Sequence, residues 1–527
     1  MAQVTISQPT KPLPDKRSII PLKNPDPSID LTNIQGDIYP TFPKKVEQLI
    51  FFSITNPDVF RQKLGIFRKE ITTAAAVIEN LQNIEEARKK NKGVPKPLPQ
   101  ERMVKLIQYQ IGFSSSGMTT LNIGSPGDPE LMAGQKKGAR ALGDEPAPGS
   151  TDDNFVGKYW SKDWMEKKID GVILAASESS TTCDEAVAKV IEIFGNSIEF
   201  EIIERGKVRP GNEEGHEHFG YLDGISQPAI KGLAKPHAGQ LECDPGVIIM
   251  GLKGDGLPVP DGHPPMPHPR PDWAVGGSVM AFRKLHQRVP EFDKFMEEHP
   301  IKKHGLTHEE GVALRGARMV GRWKSGVPID LSPERDDPDF LDPEAINNFH
   351  YHLPEPGQAR CPFSAHIRKT APREHRDKPG APRKLAPILP HARIIRSGIP
   401  YGPEVTPAER QAQKTSEDRG LLFVSYQSLL GSFGFSFIQR TWANNPTFPP
   451  PEDNSFNDGV ETGFDPIIGN AKGEVRTRVA SGTDATFTGE NLLMKEDFIV
   501  AEGGEYFFVP PMKTIDRISN GERLPGV

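Results

Sequence analysis

The chain has 527 residues, 36% hydrophobic and 25% charged, with 50 Gly and 52 Pro; it exceeds one small domain, favours two or three, and reads as soluble and globular with long ordered loops. A net charge of −6, with no basic stripe interleaved with aromatics, argues against nucleic acid as a partner, and no apolar run approaches transmembrane length. Three scattered cysteines, Cys183, Cys243 and Cys361, form no C-x-x-C and support neither a disulfide framework nor a zinc or iron–sulfur ligand set.

Residues 1–30 are polar and rich in Pro and Lys, which predicts an extended arm. Met1–Gln8 lacks the basic region and apolar core of a secretory signal, and Asn445-Pro-Thr is blocked as a glycosylation acceptor by its proline. The chain as it stands carries no export signature. Asn33–Ile38 leads into Val46–Ile54, a β-rich run long enough for a central strand, and Pro57–Gln82 follows with helix formers. Glu85–Pro99 reads as a charged helix tail ending in a Pro-broken, solvated linker. Strand patterns recur at Val104–Phe113, Gly171–Ala176 and Ser197–Glu204, with a helix pattern at Asp184–Phe194 between the last two. That order predicts an α+β unit with helices on one face of a sheet.

Gly206–Pro271 is loop-dominated. A second strand–Pro–helix opening then appears at Gly277–Arg283 and Pro290–Glu298, echoing Leu49–Ile54 and Pro57–Leu64. It points to a weak internal duplication, two α+β units in tandem. The second unit continues with Pro/Asp-rich Ser332–Asn348, a strand at Leu421–Tyr426, a helix pattern at Gly434–Trp442 and a closing apolar run at Tyr506–Met512. Pro258–Pro271 is a further Pro-rich loop.

Three stretches carry chemistry. Arg360–Pro372 presents His366 between apolar Phe363 and Ile367, with Arg368 and Lys369 behind it, a setting that suits an imidazole ligating a buried metal or haem iron. Glu217–Pro228 places Asp223 in G-x-x-D-G, between Gly220 and Gly224; alone, an Asx turn explains that aspartate as well. Arg393–Gly402 places Arg396 at the end of a short β-branched run, where a surface ion pair is the plain alternative.

Together these stretches resemble the haem-site signatures of the dye-decolourising peroxidases, in particular the fungal type: the G-x-x-D-G acid, C-P-x-x-A-H-I-R-K-T around the proximal histidine, and R-x-G-x-P-Y-G after the distal arginine. The resemblance implies an α+β fold of two tandem ferredoxin-like units, with antiparallel sheets and helices, and the haem pocket mainly in the C-terminal one. The expected division is an arm at 1–30, units at 31–235 and 236–515, and a tail at 516–527. It implies one haem b per chain, hydrogen peroxide as oxidant, and dyes or phenols as electron donors. His366 would be the axial ligand, Asp223 the proton carrier and Arg396 the fixed cation. Arg368 would face a haem propionate, Gly224 would accompany Asp223 at the haem, and Leu421 and Phe423 would form an apolar distal wall. Asp465, in Asp-Pro-Ile-Ile-Gly, is the expected partner of the His366 ring. Trp442 and Tyr401 occupy positions of surface electron relays, with plain packing as the alternative. Glu404, Glu409, Glu417 and Asp418 could bind Mn²⁺ or form a solvated acidic loop. The fungal relatives imply an extracellular protein, as monomer or homodimer; the absent export signature makes the cytoplasm the alternative. A haem carrier or iron-release protein of the same fold is the competing function.

Overall fold

The computed structural model describes residues 19–94, 98–151, 154–257, 266–351, 360–373, 388–448, 462–470, 478–481, 491–494 and 496–527. Most of the expected arm and parts of the Glu85–Pro99 linker and the Pro258–Pro271 loop lie outside them. The first unit comprises β1 (Val46–Ile54), α1 (Pro57–Phe67), α2 (Ala74–Lys90), β2 (Ile107–Phe113), β3 (Gly171–Ser177), α3 (Ser180–Phe194) and β4 (Ile198–Lys207). Its strands pair antiparallel in the order β2-β3-β1-β4, the ferredoxin-like arrangement. Local chemistry starts each helix. Asn56 accepts a hydrogen bond from Val59 N–H ahead of α1, Pro57 opens the first turn, and Ser179 caps α3 through Thr182 N–H.

All nine residues of β1 are buried, which explains the continuous apolar run Leu49–Phe52 at its centre: the strand has core on both faces. Leu49 and Phe51 join Met280, Phe282, Val424 and Phe507 in one core. Ile50 and Phe52 join Phe60, Leu64 and Phe67 of α1 and Val190 of α3 in the other.

The second unit repeats the plan with β5 (Ser278–Gln287), α4 (Val289–Glu298), α5 (His308–Val320), α6 (His366–Thr370), β6 (Ile395–Arg396), β7 (Ile399–Tyr401), β8 (Gly420–Gln427), β9 (Ile499–Val509) and α7 (Met512–Ser519). The order is β6-β8-β5-β9, with β7 also on β8. A bridge between Phe508 and Phe113 joins β9 to β2, so nine strands form one curled sheet. Its outer edges also approach: a Cβ at Gly206 of β4 would lie 2.2 Å from Ile399 Cγ2 of β7. Ile515 and Ile518 of α7 pack with α1 in the core of the first unit.

The Gly434–Trp442 helix pattern takes an unusual form. One α-turn, Phe435–Phe437, is followed by a π-helix over Ile438–Ala443, and Asn444 N–H reaches back five residues to Gln439 C=O at 2.9 Å. π-helical turns concentrate at functional sites, and Ile438 and Gln439 line the main cavity. The three cysteines are free and buried. No helix among the described residues is long and apolar enough to cross a membrane.

Candidate active site

A cavity of about 260 Å³ opens on the side of β5 and β8 that carries Arg283, Leu285, Leu421 and Phe423. His366, at the start of α6, forms part of its wall. The ring is held from behind: its Nδ1 lies 2.8 Å from Asp465 Oδ2, while Asp465 Oδ1 accepts from Ile467 and Ile468 N–H at 2.8 and 3.0 Å. Asp465 is fully buried. Burial would raise its carboxyl, but the imidazole beside it and those two amides outweigh this and leave it below its ordinary value. A carboxylate there places the imidazole proton on Nδ1 and leaves the Nε2 lone pair for a metal. Lys369 anchors the same helix through Trp442 and Asn445 C=O at 3.2 and 2.6 Å, and burial pushes its amine down to about 7.

Asp223 and Arg396 enter the same cavity from a loop and a strand 173 residues apart. Gly220 and Gly224 adopt φ of +91° and +80°, which side chains other than glycine rarely tolerate; the G-x-x-D-G pattern is a backbone requirement. Glu217 pins this loop by accepting from Phe219 N–H, Tyr221 N–H and Gln287 Nε2 at 2.8, 2.8 and 2.6 Å. Asp223 Oδ1 accepts from Gly224 N–H and Arg396 Nη1, both at 2.6 Å. Burial pushes this carboxyl up, but the Arg396 guanidinium, by charge and hydrogen bond, leaves it below its usual value. The two side chains keep 38% and 29% of their surface open, and both line the cavity.

A third feature had no signal in the sequence. Arg322, Arg373 and Arg393 line the cavity while 4–6% exposed. Their guanidinium groups donate to backbone carbonyls and to Ser226 and Asn347, with no carboxylate partner among the described residues. Burial depresses all three, Arg322 to about 9 and Arg393 to about 10. Three buried cations without an acid call for an anionic ligand. An imidazole nitrogen, apolar walls at Ile367, Leu421, Phe423 and Ile467, and this cationic group match the iron, the flat ring and the carboxylates of a haem.

Leu421, Phe423 and Gly224 line the cavity. Arg368 does not. Two residues along an α-helix rotate a side chain by about 200°, so Arg368 leaves the cavity when His366 enters it. Its guanidinium stacks on the Phe363 and Tyr351 rings at 4.2 and 4.6 Å and bonds Cys361 C=O. Arg373, just beyond the same helix, reaches the cavity instead.

The expectation of surface relays also needs correction. Trp442 is 2% exposed and stacks on Phe448 at 5.0 Å, and Tyr401 is 5% exposed. The Tyr401 hydroxyl donates to Asp418 Oδ1 at 2.9 Å. Nor do the four acidic residues converge. Arg209 grips Glu404 at 2.9 and 2.6 Å, and Arg419 grips Glu409 at 2.8 and 2.6 Å. Asp418 turns to Lys284 and His286, and Glu417 is exposed. His286, Asp418 and Glu502 do come together, but the Lys284 ammonium lies 3.0 Å from Asp418 and 3.6 Å from Glu502, so a cation is already present. Glu409 and Arg419 are both buried, and Arg419→Met removes the paired cation and leaves the carboxylate only the neutral donors of Thr406, Ser416 and Glu417. Chemical denaturation should show a loss of about 3–5 kcal/mol; a loss under about 1 kcal/mol would place the pair among weak surface bridges.

Residues 33–210 match the family profile described as the DyP dimeric alpha+beta barrel domain. The chain is 39% identical over 495 residues to a dye-decolourising peroxidase of Exidia glandulosa, covering 93% of this chain and 87% of the relative. It is 38% identical over 494 residues to one from Auricularia auricula-judae, covering 93% and 86%. Among solved structures, an ancestral D-type dye-decolourising peroxidase superposes with a TM-score of 0.81 at 44% identity, covering 93% of this chain and 98% of the other. With likeness of this extent across both units, the chain belongs to the dye-decolourising peroxidases, a family of haem enzymes.

Proposed function

We propose that this peroxidase binds one haem b per chain in the 260 Å³ cavity, with His366 as axial ligand and Arg322, Arg373 and Arg393 as the wall that receives its carboxylates. The bound haem supplies the two-electron reduction of hydrogen peroxide to water. Asp223 handles the proton: with Oδ1 engaged by Arg396 and Gly224, Oδ2 takes a proton from one peroxide oxygen and delivers it to the other, which leaves as water. Arg396 stabilises the charge that develops as the O–O bond breaks. Leu421 and Phe423 exclude water from that step. The single observation that carries this reading is the Asp223–Arg396 pair at 2.6 Å in the cavity that also holds the Asp465-backed His366. A haem carrier requires the histidine but neither member of that pair, which favours catalysis over carriage.

A cavity filled by haem has no room for a bulky dye, so large donors give up electrons at the protein surface. Tyr401 is the better furnished internal relay, because Asp418 can accept its phenolic proton as the ring loses an electron.

The test is the absorption spectrum before and after one equivalent of hydrogen peroxide. A Soret band that shifts within milliseconds, and that His366→Ala lowers or abolishes, is the expected result. A Soret band indifferent to peroxide would favour the carrier. No band after haem is supplied would overturn both readings.

A further inference from the structure

β6 is two residues long and pairs with β8 along one edge, placing Ile395 opposite Tyr426 and Arg396 opposite Ser425. The peptide groups of Arg396 on its other edge need partners, and one side chain supplies both. Gln227 Oε1 accepts from Arg396 N–H at 3.0 Å, and Gln227 Nε2 donates to Arg396 C=O at 2.5 Å. The two partners also assign the carboxamide orientation without ambiguity. Gln227 is 8% exposed, lines the cavity, and stands four residues after Asp223 in the same loop. Its own carbonyl is held by Gln240 Nε2 at 2.9 Å. Beyond the arginine, Ser397 is fixed by Asp37 Oδ1 and by Lys44 Nζ, both at 2.8 Å.

We infer that Gln227 is a positioning residue for the peroxide reaction: acting as a one-residue strand, its carboxamide ties the Asp223 loop to the Arg396 backbone and sets the approach of the two side chains. The inference rests on the roles proposed above for Asp223 and Arg396. The ion pair does not do this alone, because an arginine side chain has enough rotatable bonds to follow a carboxylate that has moved. A backbone tether at two points removes that freedom, and small displacements of reacting groups cost large factors in rate.

The experiment uses haem-loaded protein carrying Gln227→Leu, Gln227→Glu or Arg396→Leu. Two quantities are measured: the second-order rate constant with hydrogen peroxide from about pH 3 to 8, a range spanning carboxyl titration, and the affinity of the resting protein for fluoride by absorbance. Fluoride is a small anion that a well-aimed Arg396 is expected to hold by charge and hydrogen bond, and its binding involves no turnover. Gln227→Leu should lower the rate about 10- to 100-fold and weaken fluoride binding at least about tenfold. Gln227→Glu discriminates further. While protonated, its carboxyl reproduces the amide, accepting from Arg396 N–H and donating to Arg396 C=O; once ionised it has no donor and faces a carbonyl. This variant should approach the parent rate at the acid end and lose it along a new descending limb as pH rises.

Parent-like rate and fluoride affinity in Gln227→Leu would overturn the inference, as would a parent-like pH profile in Gln227→Glu. If Gln227→Leu fails to fold, the Gln227→Glu profile decides. Arg396→Leu separates the two levels. If it loses rate and fluoride affinity while both Gln227 variants keep them, positioning by Gln227 is wrong and the site assignment stands. If Arg396→Leu itself changes neither quantity, the assignment of Arg396 fails and the inference fails with it.

Discussion

Asp223→Asn is expected to lower the rate constant for reaction with hydrogen peroxide by about 10²- to 10⁴-fold, the range for loss of a positioned general base. Asparagine is nearly isosteric, and its carbonyl oxygen can still accept from Gly224 N–H and Arg396 Nη1, as Asp223 Oδ1 does. Geometry is therefore retained while the capacity to take up a proton is lost. The pH dependence carries the same signature. Arg396 and Gly224 outweigh burial and hold the Asp223 carboxyl below its ordinary value. A base with a depressed pKa stays ionised as pH falls and is lost only on protonation at lower pH. The acid limb of the parent protein should therefore lie below about pH 3.9, the unperturbed value, and activity should persist under acidic conditions. In Asp223→Asn that limb should vanish with most of the rate. Stopped-flow absorbance in the Soret region measures both; an asparagine variant that keeps the parent rate and the parent limb would show that another group moves the proton.

Arg396→Leu should cost about 10²- to 10³-fold in the same rate, the range for deleting one preorganised charge-stabilising donor. It should also move the acid limb. Of the influences on Asp223, burial acts upward and Arg396 is the largest acting downward; without the guanidinium, burial prevails and the carboxyl titrates at higher pH. The variant would thus be slow and would lose its remaining activity earlier on acidification. Arg396→Lys keeps the charge but not the planar fork, so it should fall between leucine and the parent in rate and limb position. An unchanged limb in Arg396→Leu would contradict the 2.6 Å pairing of Asp223 with Arg396, whatever the rate did.

Much of the molecule was legible in the chain because the controlling interactions are local. The β1 run, the helix patterns of α1 and α3, and the repeated strand–Pro–helix opening depend on sterics and hydrogen bonds within a few residues, and the structure contains each of them. Gly220 and Gly224 are similar: a turn that needs φ near +90° and +80° leaves a glycine signature whatever surrounds it. Even the His366–Asp465 contact at 2.8 Å was anticipated from a motif, through resemblance.

What misled was direction and partnership. Arg368 and Arg373 stand in one stretch with the same charge, and the turn of α6 decides which of them meets the cavity. Trp442 and Tyr401 carry nothing in their neighbourhoods that distinguishes a surface ring from a buried one, yet Phe448 covers one and Asp418 with Lys284 surrounds the other. Glu404 and Asp418 look like neighbours in an acidic loop. Their cations come from Arg209 and Lys284, 195 and 134 residues away.

By itself, then, the sequence determined which segments become strands and helices, where the backbone must turn, and which histidine, aspartate and arginine stand in chemically suggestive settings, because each depends on short-range sterics, capping and hydrophobic pattern. Only the tertiary structure decided that three buried arginines with no carboxylate partner among the described residues share one cavity, that Gln227, on the Asp223 loop, bonds the Arg396 backbone, and that Glu404, Glu409 and Asp418 are already paired with cations. Those outcomes depend on tertiary packing, which brings Gln227 to Arg396 across 169 residues and Arg209 to Glu404 across 195, and both the cost of burying a charge and its compensation arise only once the chain has packed.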